Sequence, residues 1–153
     1  MNRNIALANR IREVLLDGQW IANTNYKQEI QNTTCQQAVH KIGSLNTIAT
    51  LTYHINYYLT GLLCALENCR LEISDKYSFD LLTVFTEADW ANLVNDFLNN
   101  AEIFATYVKH INDKLFNQPF IYKKYGNYLR NIDGIIEHSY YHLGQISLMK
   151  KIM

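Results

Sequence analysis

Proline is nearly absent from this chain: there is one, Pro119, in 153 residues. Glycine is sparse as well, with six. An all-β chain of this length needs many turns built from these two residues, so their shortage excludes that class. It leaves room for long uninterrupted helices. There are three cysteines (Cys35, Cys64, Cys69), an odd count with no Cys-x-x-Cys. That excludes a disulfide framework and a cysteine-rich zinc module. Neither sign of charge dominates, because 14 Lys and Arg balance 14 Asp and Glu. No basic stripe is visible, so nucleic acid is not expected as a partner. No apolar run reaches bilayer length, so no membrane partner is expected either. The opening Met1-Asn2-Arg3-Asn4-Ile5 lacks the apolar core of a signal peptide, and a cytoplasmic location is expected. Ser-His-Asp and phosphate-loop patterns are also missing.

What the chain does have is helical periodicity. The length fits a single domain over residues 1–153 with one core. The first helix is predicted from Asn4 to Leu16, with Ile5, Ala8, Ile11, Leu15 and Leu16 as its apolar stripe. Asp17-Gly18 ends it, with Gly18 free to take a left-handed cap. A polar connection follows to about Thr33, with a short helical turn, pinned to the core by Trp20 and Ile21. Thr33 and Gln36 are placed to cap a short helix holding Ala38, Val39 and Ile42.

Ser44 is the predicted N-cap of the second long helix. Its stripe runs Leu45, Ile48, Leu51, Ile55, Leu59, Leu62, Leu63 and Leu66. Cys64, inside this run, reads as a buried small hydrophobe. Asn68 to Phe85 form a polar connector anchored by Phe79, Leu81 and Leu82. Thr86 caps the third long helix, whose core face includes Trp90, Phe97, Phe104 and Val108. Pro119 keeps Lys114 to Asn127 out of helix. The fourth helix begins near Tyr128 and carries Leu129, Ile132, Ile136, Leu143 and Ile146 as its stripe. The pattern is an all-α four-helix bundle with long connections after helices 1 and 2. Such connections allow neighbouring helices to run parallel.

The fourth helix holds His138-Ser139-Tyr140-Tyr141-His142-Leu143-Gly144-Gln145. Histidines four residues apart lie about 40° apart in azimuth and roughly 6 Å apart along a helix. Both rings therefore leave one face and can converge on one metal ion. His54 lies at the edge of the stripe of the second helix, as the pair does on the fourth. If those helices are neighbours, the three imidazoles make a facial triad with one to three open positions. That is a catalytic pattern for zinc, and it also suits nickel, iron or manganese. On the chemistry alone, His54 reads equally as a helix-edge histidine capping a nearby group.

The stretch Asn46-Thr47-Ile48-Ala49-Thr50-Leu51-Thr52-Tyr53-His54-Ile55, followed far downstream by His138-Ser139-Tyr140-Tyr141-His142-Leu143-Gly144-Gln145-Ile146, resembles the DinB/YfiT-like superfamily of metalloenzymes. In that family one metal histidine comes from the second helix and two from the fourth, as His-x-x-x-His followed by a residue, Gly and Gln. His54, His138 and His142 match these positions in turn, with Leu143 where the family commonly has arginine. The resemblance implies up-down-down-up topology, zinc or nickel as cofactor, and a homodimer. It also implies a metal-dependent transferase or isomerase acting with a low-molecular-weight thiol.

Further residues are candidates for the second layer or the pocket. Gln145 lies one turn beyond His142 and can bond to it. Tyr57 and Tyr58 flank His54, where each serves either the pocket or core packing. Glu137 is the one carboxylate close to the histidines in sequence, offset from their face. His40 and His110 read as surface or capping residues. Three function classes remain: a metalloenzyme, a non-catalytic metal-binding stress-related bundle, and an interaction module with incidental histidines. The thiol and its electrophile are small molecules in the first of these.

Overall fold

A computed structural model describes residues 2–81, 83–84 and 86–153. The expected anchor Leu82 lies outside the described residues. Among the described residues six α-helices carry the fold: α1 (Arg3–Leu15), α2 (Tyr26–Gln31), α3 (Cys35–Ala38), α4 (Ile48–Asn68), α5 (Glu87–His110) and α6 (Tyr128–Ile152). Four are long, and no strand occurs among the described residues. The expected second, third and fourth long helices are α4, α5 and α6.

The apolar stripes of the long helices meet in one core. Both α1 and α4 pack on α5 and on α6. Phe97, Phe104, Ile55, Leu59, Ile132 and Ile146 are almost wholly buried there. Each such side chain contributes about 1.5–3 kcal/mol relative to exposure. Polar links across the helix pairs occur at separated levels. Arg12 meets Glu102, and Asn4 Nδ2 donates to the Lys109 carbonyl at 2.6 Å. Asn100 donates to Asn56 Oδ1 at 2.9 Å, and the Tyr107 hydroxyl to the Leu66 carbonyl at 2.8 Å. Arg10 pairs with Asp133, and the Tyr140 hydroxyl donates to Glu13.

Several local expectations are corrected. Gly18 is not a left-handed cap, because the described positive-φ glycines are Gly43 and Gly126. Its role is close approach: a Cβ there would lie 2.5 Å from Glu13 Cα. Trp20 and Ile21 do not pin the first connection, being 90% and 67% exposed. The Asn25 side chain instead closes that loop, donating to the Gly18 carbonyl at 2.8 Å and accepting from Gln28 N. Residues 19–24 are thereby turned outward, and Tyr26 anchors the connection by stacking on Phe97 at 5.1 Å.

The short-helix cap falls one residue later than expected, on Thr34 with Gln37. The Thr33 hydroxyl is already committed to the Glu29 carbonyl at 2.7 Å. Likewise Thr47, not Ser44, caps α4, accepting from Thr50 N at 3.1 Å. Leu45 consequently lies outside the helix and is about half exposed. Cys64 is half-buried rather than buried. At α5 the expectation holds: Thr86 and Asp89 form a reciprocal capping box.

The connector after α4 matters most for the site. It crosses α4 where Gly61 leaves room, since a Cβ there would stand 2.6 Å from Ile73 Cδ1. The Tyr57 hydroxyl then holds it, donating to the Ser74 carbonyl at 3.1 Å and accepting from Ser74 N at 2.9 Å. A 3₁₀ turn follows at Asp75–Tyr77.

Candidate metal centre

Packing of α4 against α6 brings His54 to the His138–His142 pair. His54 and His142 are buried and His138 is half-buried. Their Nε2 atoms point at one another. His138 Nε2 lies 3.2 Å from His54 Nε2 and 2.8 Å from His142 Nε2. One ligand atom from each of the three lies within 4.8 Å of the others. Nitrogens that share an ion at about 2.0–2.1 Å stand roughly 3 Å apart, so this spacing suits one cation at their centre.

The outer ring nitrogens explain which way the lone pairs face. His54 Nδ1 lies 3.0 Å from the Ser78 carbonyl, which only accepts, so Nδ1 carries the proton. His142 Nδ1 lies 2.7 Å from Gln145 Oε1 and donates in the same way. Both rings therefore turn an Nε2 lone pair inward. Metal-bound imidazoles are oriented by just such outer partners.

Electrostatics keep the rings neutral. Burial, then the neighbouring His142 and His54, lower the His138 pKa from its ordinary 6.5 to about 4. Burial also lowers His54, with His142 adding to it and the Ser78 carbonyl opposing. His142 is lowered by burial against the opposing Gln145 bond. A metal ion needs neutral imidazoles, and near pH 7 this group supplies three. The residues present thus fit a divalent metal.

Aromatic rings enclose the group. Phe79 stacks on His54 with centroids 3.8 Å apart. Tyr58 sets its edge against His54 at 5.0 Å and against His138 at 5.3 Å. Its hydroxyl donates to Asp75 Oδ1 at 2.9 Å. Tyr57 ties down the connector instead of facing the histidines. Glu137 is turned to solvent, bonded by Arg130 at 2.9 Å, and is not brought to the centre. His40 is exposed, and His110 bonds the Thr106 carbonyl at the end of α5. Leu143 is buried in the core.

Three contributors escaped the sequence reading of the site. Asp75, Ser78 and Phe79 all arrive on the connector after α4. The signal for the connector's return was its apolar residues Phe79, Leu81 and Leu82 in a polar stretch, and none of them indicated contact with the histidines. Beside His138 opens a cavity of about 660 Å³, bounded by α4, this connector, residues 120–125 and the start of α6. No family model, curated protein or solved structure matches the chain.

Proposed function

We propose that this chain is a metal-dependent enzyme of the DinB/YfiT-like kind, with His54, His138 and His142 holding one divalent ion, zinc or nickel. The observation that carries this reading is the convergence of three inward Nε2 atoms with spacings of 2.8 and 3.2 Å. A single proton can serve only part of such a set, whereas a cation serves all of it. Held by these three histidines, such an ion would supply Lewis acidity and would lower the pKa of a thiol bound to it. Thiol transfer or thiol-assisted isomerisation is the favoured reaction. Hydrolysis at three-ligand zinc usually recruits a dedicated glutamate, and Glu137 faces Arg130 instead. Asp75 faces the cavity, but its Oδ1 already accepts the Tyr58 hydroxyl.

The fold fits the same reading. The links Asn4–Lys109 and Arg12–Glu102 support antiparallel α1 and α5. Asn56–Asn100 and Leu66–Tyr107 support parallel α4 and α5. Arg10–Asp133 and Glu13–Tyr140 support parallel α1 and α6. Together these links support the up-down-down-up four-helix bundle as the topology of this reading. A homodimer is proposed as well. Tyr141, Leu148 and Ile152 are exposed at helical spacing along α6, with exposed Gly144 between them. This apolar stripe suits a second helix. Free Cys35, Cys64 and Cys69 suit a reducing cytoplasm. No helix of the described chain is long and apolar enough to cross a membrane.

Elemental analysis of untagged protein tests the centre. One equivalent of metal is expected in the wild type and none in His142→Ala, with the helical circular dichroism retained. Equal metal content in both would overturn the triad. Metal-loaded protein with a panel of low-molecular-weight thiols and a chromogenic electrophile tests the chemistry. No metal-dependent acceleration with any thiol, alongside turnover of an ester or amide panel, would replace thiol transfer by hydrolysis. Stoichiometric metal with no turnover of either kind would leave a non-catalytic metal-binding bundle. Sedimentation at micromolar concentration showing only a species near 17.9 kDa, the chain mass, would overturn the dimer.

A further inference from the structure

The cavity beside His138 has a chemical character of its own. Its volume of about 660 Å³ falls within the range of small-molecule sites, roughly 300–1,000 Å³. Much of its wall is apolar or aromatic, including Leu62, Ile73, Phe120 and Tyr125. Two cations stand in that wall, Lys124 and Arg130, against one carboxylate, Asp75. The carboxylate is engaged by the Tyr58 hydroxyl. The Lys124 ammonium lies over the Tyr125 ring, 4.7 Å from its centroid, with no ion-pair partner at hand among the described residues.

Arg130, Gly134 and His138 stand on successive turns of one face of α6. The guanidinium folds back along that face, its Nη1 4.0 Å from where a Cβ of Gly134 would be. Gly134 therefore keeps the floor between cation and imidazole open. Arg130 and His138 are two helical turns apart, roughly 12 Å along the axis, and the guanidinium lies over Gly134 between them. Nη1 bonds Glu137, which leaves other donors of the planar fork for a ligand.

We infer that this cavity is the substrate pocket of the histidine centre and takes a small organic acid with an apolar body, its carboxylate held by Arg130 and Lys124 and its opposite end against His138. This rests on the metal-site reading for the role of His138. The carboxylate recognition stands on Arg130, Gly134 and Lys124 alone. The span from the guanidinium over Gly134 to His138, within two turns or roughly 12 Å, sets the size: a small acid whose far end reaches His138.

Zinc-loaded full-length protein is titrated with 3-phenylpropionate and with its neutral amide, following backbone amide shifts by NMR. The zinc content of each sample is measured alongside. The acid is expected to shift residues 120–138 and to bind at least tenfold more tightly than the amide. That preference is expected to vanish in Lys124→Gln/Arg130→Gln, both surface positions whose replacement leaves the core intact. Gly134→Val should weaken acid and amide alike by obstructing the floor. Equal binding of acid and amide, absence of binding, or a preference that survives the double substitution would overturn the inference. A surviving preference that disappears in His142→Ala would instead mean that the carboxylate sits on the metal. Selective binding in protein that retains no zinc would keep the pocket and discard the metal centre.

Discussion

Gln145 sits one turn from His142 on α6, and its Oε1 accepts the His142 Nδ1 proton at 2.7 Å. The bond does two things at once. It fixes the tautomer that turns the Nε2 lone pair inward, and it fixes the ring plane. Ser78 does the same for His54 through a backbone carbonyl, so a side-chain substitution at Ser78 leaves that bond in place. Gln145 is the outer partner that mutation can remove.

Gln145→Leu should therefore weaken zinc retention by about 10–100-fold without changing helix content. Gln145→Glu should restore it, because a carboxylate accepts the same proton. Competition against a chromogenic chelator measures both. Wild-type affinity in the leucine variant would remove Gln145 from the site.

Acid should unfold the metal-free protein earlier than a bundle lacking these histidines. The folded-state pKa of His138 is lowered from 6.5 to about 4, and those of His54 and His142 are lowered too. Between those values the unfolded chain binds more protons than the folded one, so stability rises with pH there. The contribution is complete above about 6.5 and is lost progressively as pH falls toward about 4. Urea midpoints across this window should decline in the wild type and decline less steeply in His138→Gln, where His54 and His142 still contribute. With zinc bound the decline should steepen, because protons and metal compete for the same lone pairs. A flat wild-type profile would show that burial does not hold these rings neutral.

How much of this was legible beforehand follows from where each piece sits. The four long helices were readable because their stripes keep the helical period over 13 to 25 residues. His138 and His142 were readable because a helix itself sets their spacing. Their meeting with His54 depends on which helices pack together, and periodicity is silent on that. Caps slipped where two hydroxyls compete, at Thr33 and Thr34 and again at Ser44 and Thr47. The connectors were least legible. Asp75, Ser78 and Phe79 reach the centre through a backbone path set by Gly61, Ile73 and Tyr57, contacts with no local signature.

Thr86→Ala should cost about 1 kcal/mol of stability. It removes the hydroxyl that accepts from Asp89 N at 3.1 Å at the start of α5. Zinc stoichiometry should not change, because the cap contributes no group to the centre. A loss of metal in this variant would mean that the start of α5 controls the histidines, contrary to the geometry.

Gly61 lies inside α4 where Ile73 of the connector crosses it. In a helix interior, replacing glycine by alanine normally stabilises by about 0.8–1 kcal/mol. At this position the new Cβ would stand 2.6 Å from both Cδ1 and Cγ2 of Ile73. Relieving such overpacking typically costs about 1–3 kcal/mol, enough to cancel or reverse the helical gain. The side chain that must move belongs to the connector. Ser74, next to it, is held by Tyr57, and Ser78 beyond it accepts from His54. Gly61→Ala should therefore lower both thermal stability and zinc affinity. In an Ile73→Ala background the obstruction is gone, and the same substitution should become stabilising by the ordinary helical amount. The sign reversal is a double-mutant cycle read by urea unfolding, with zinc competition alongside. If Gly61→Ala stabilises both backgrounds equally, Ile73 does not couple the connector to α4, and the delivery of Ser78 to His54 has another cause.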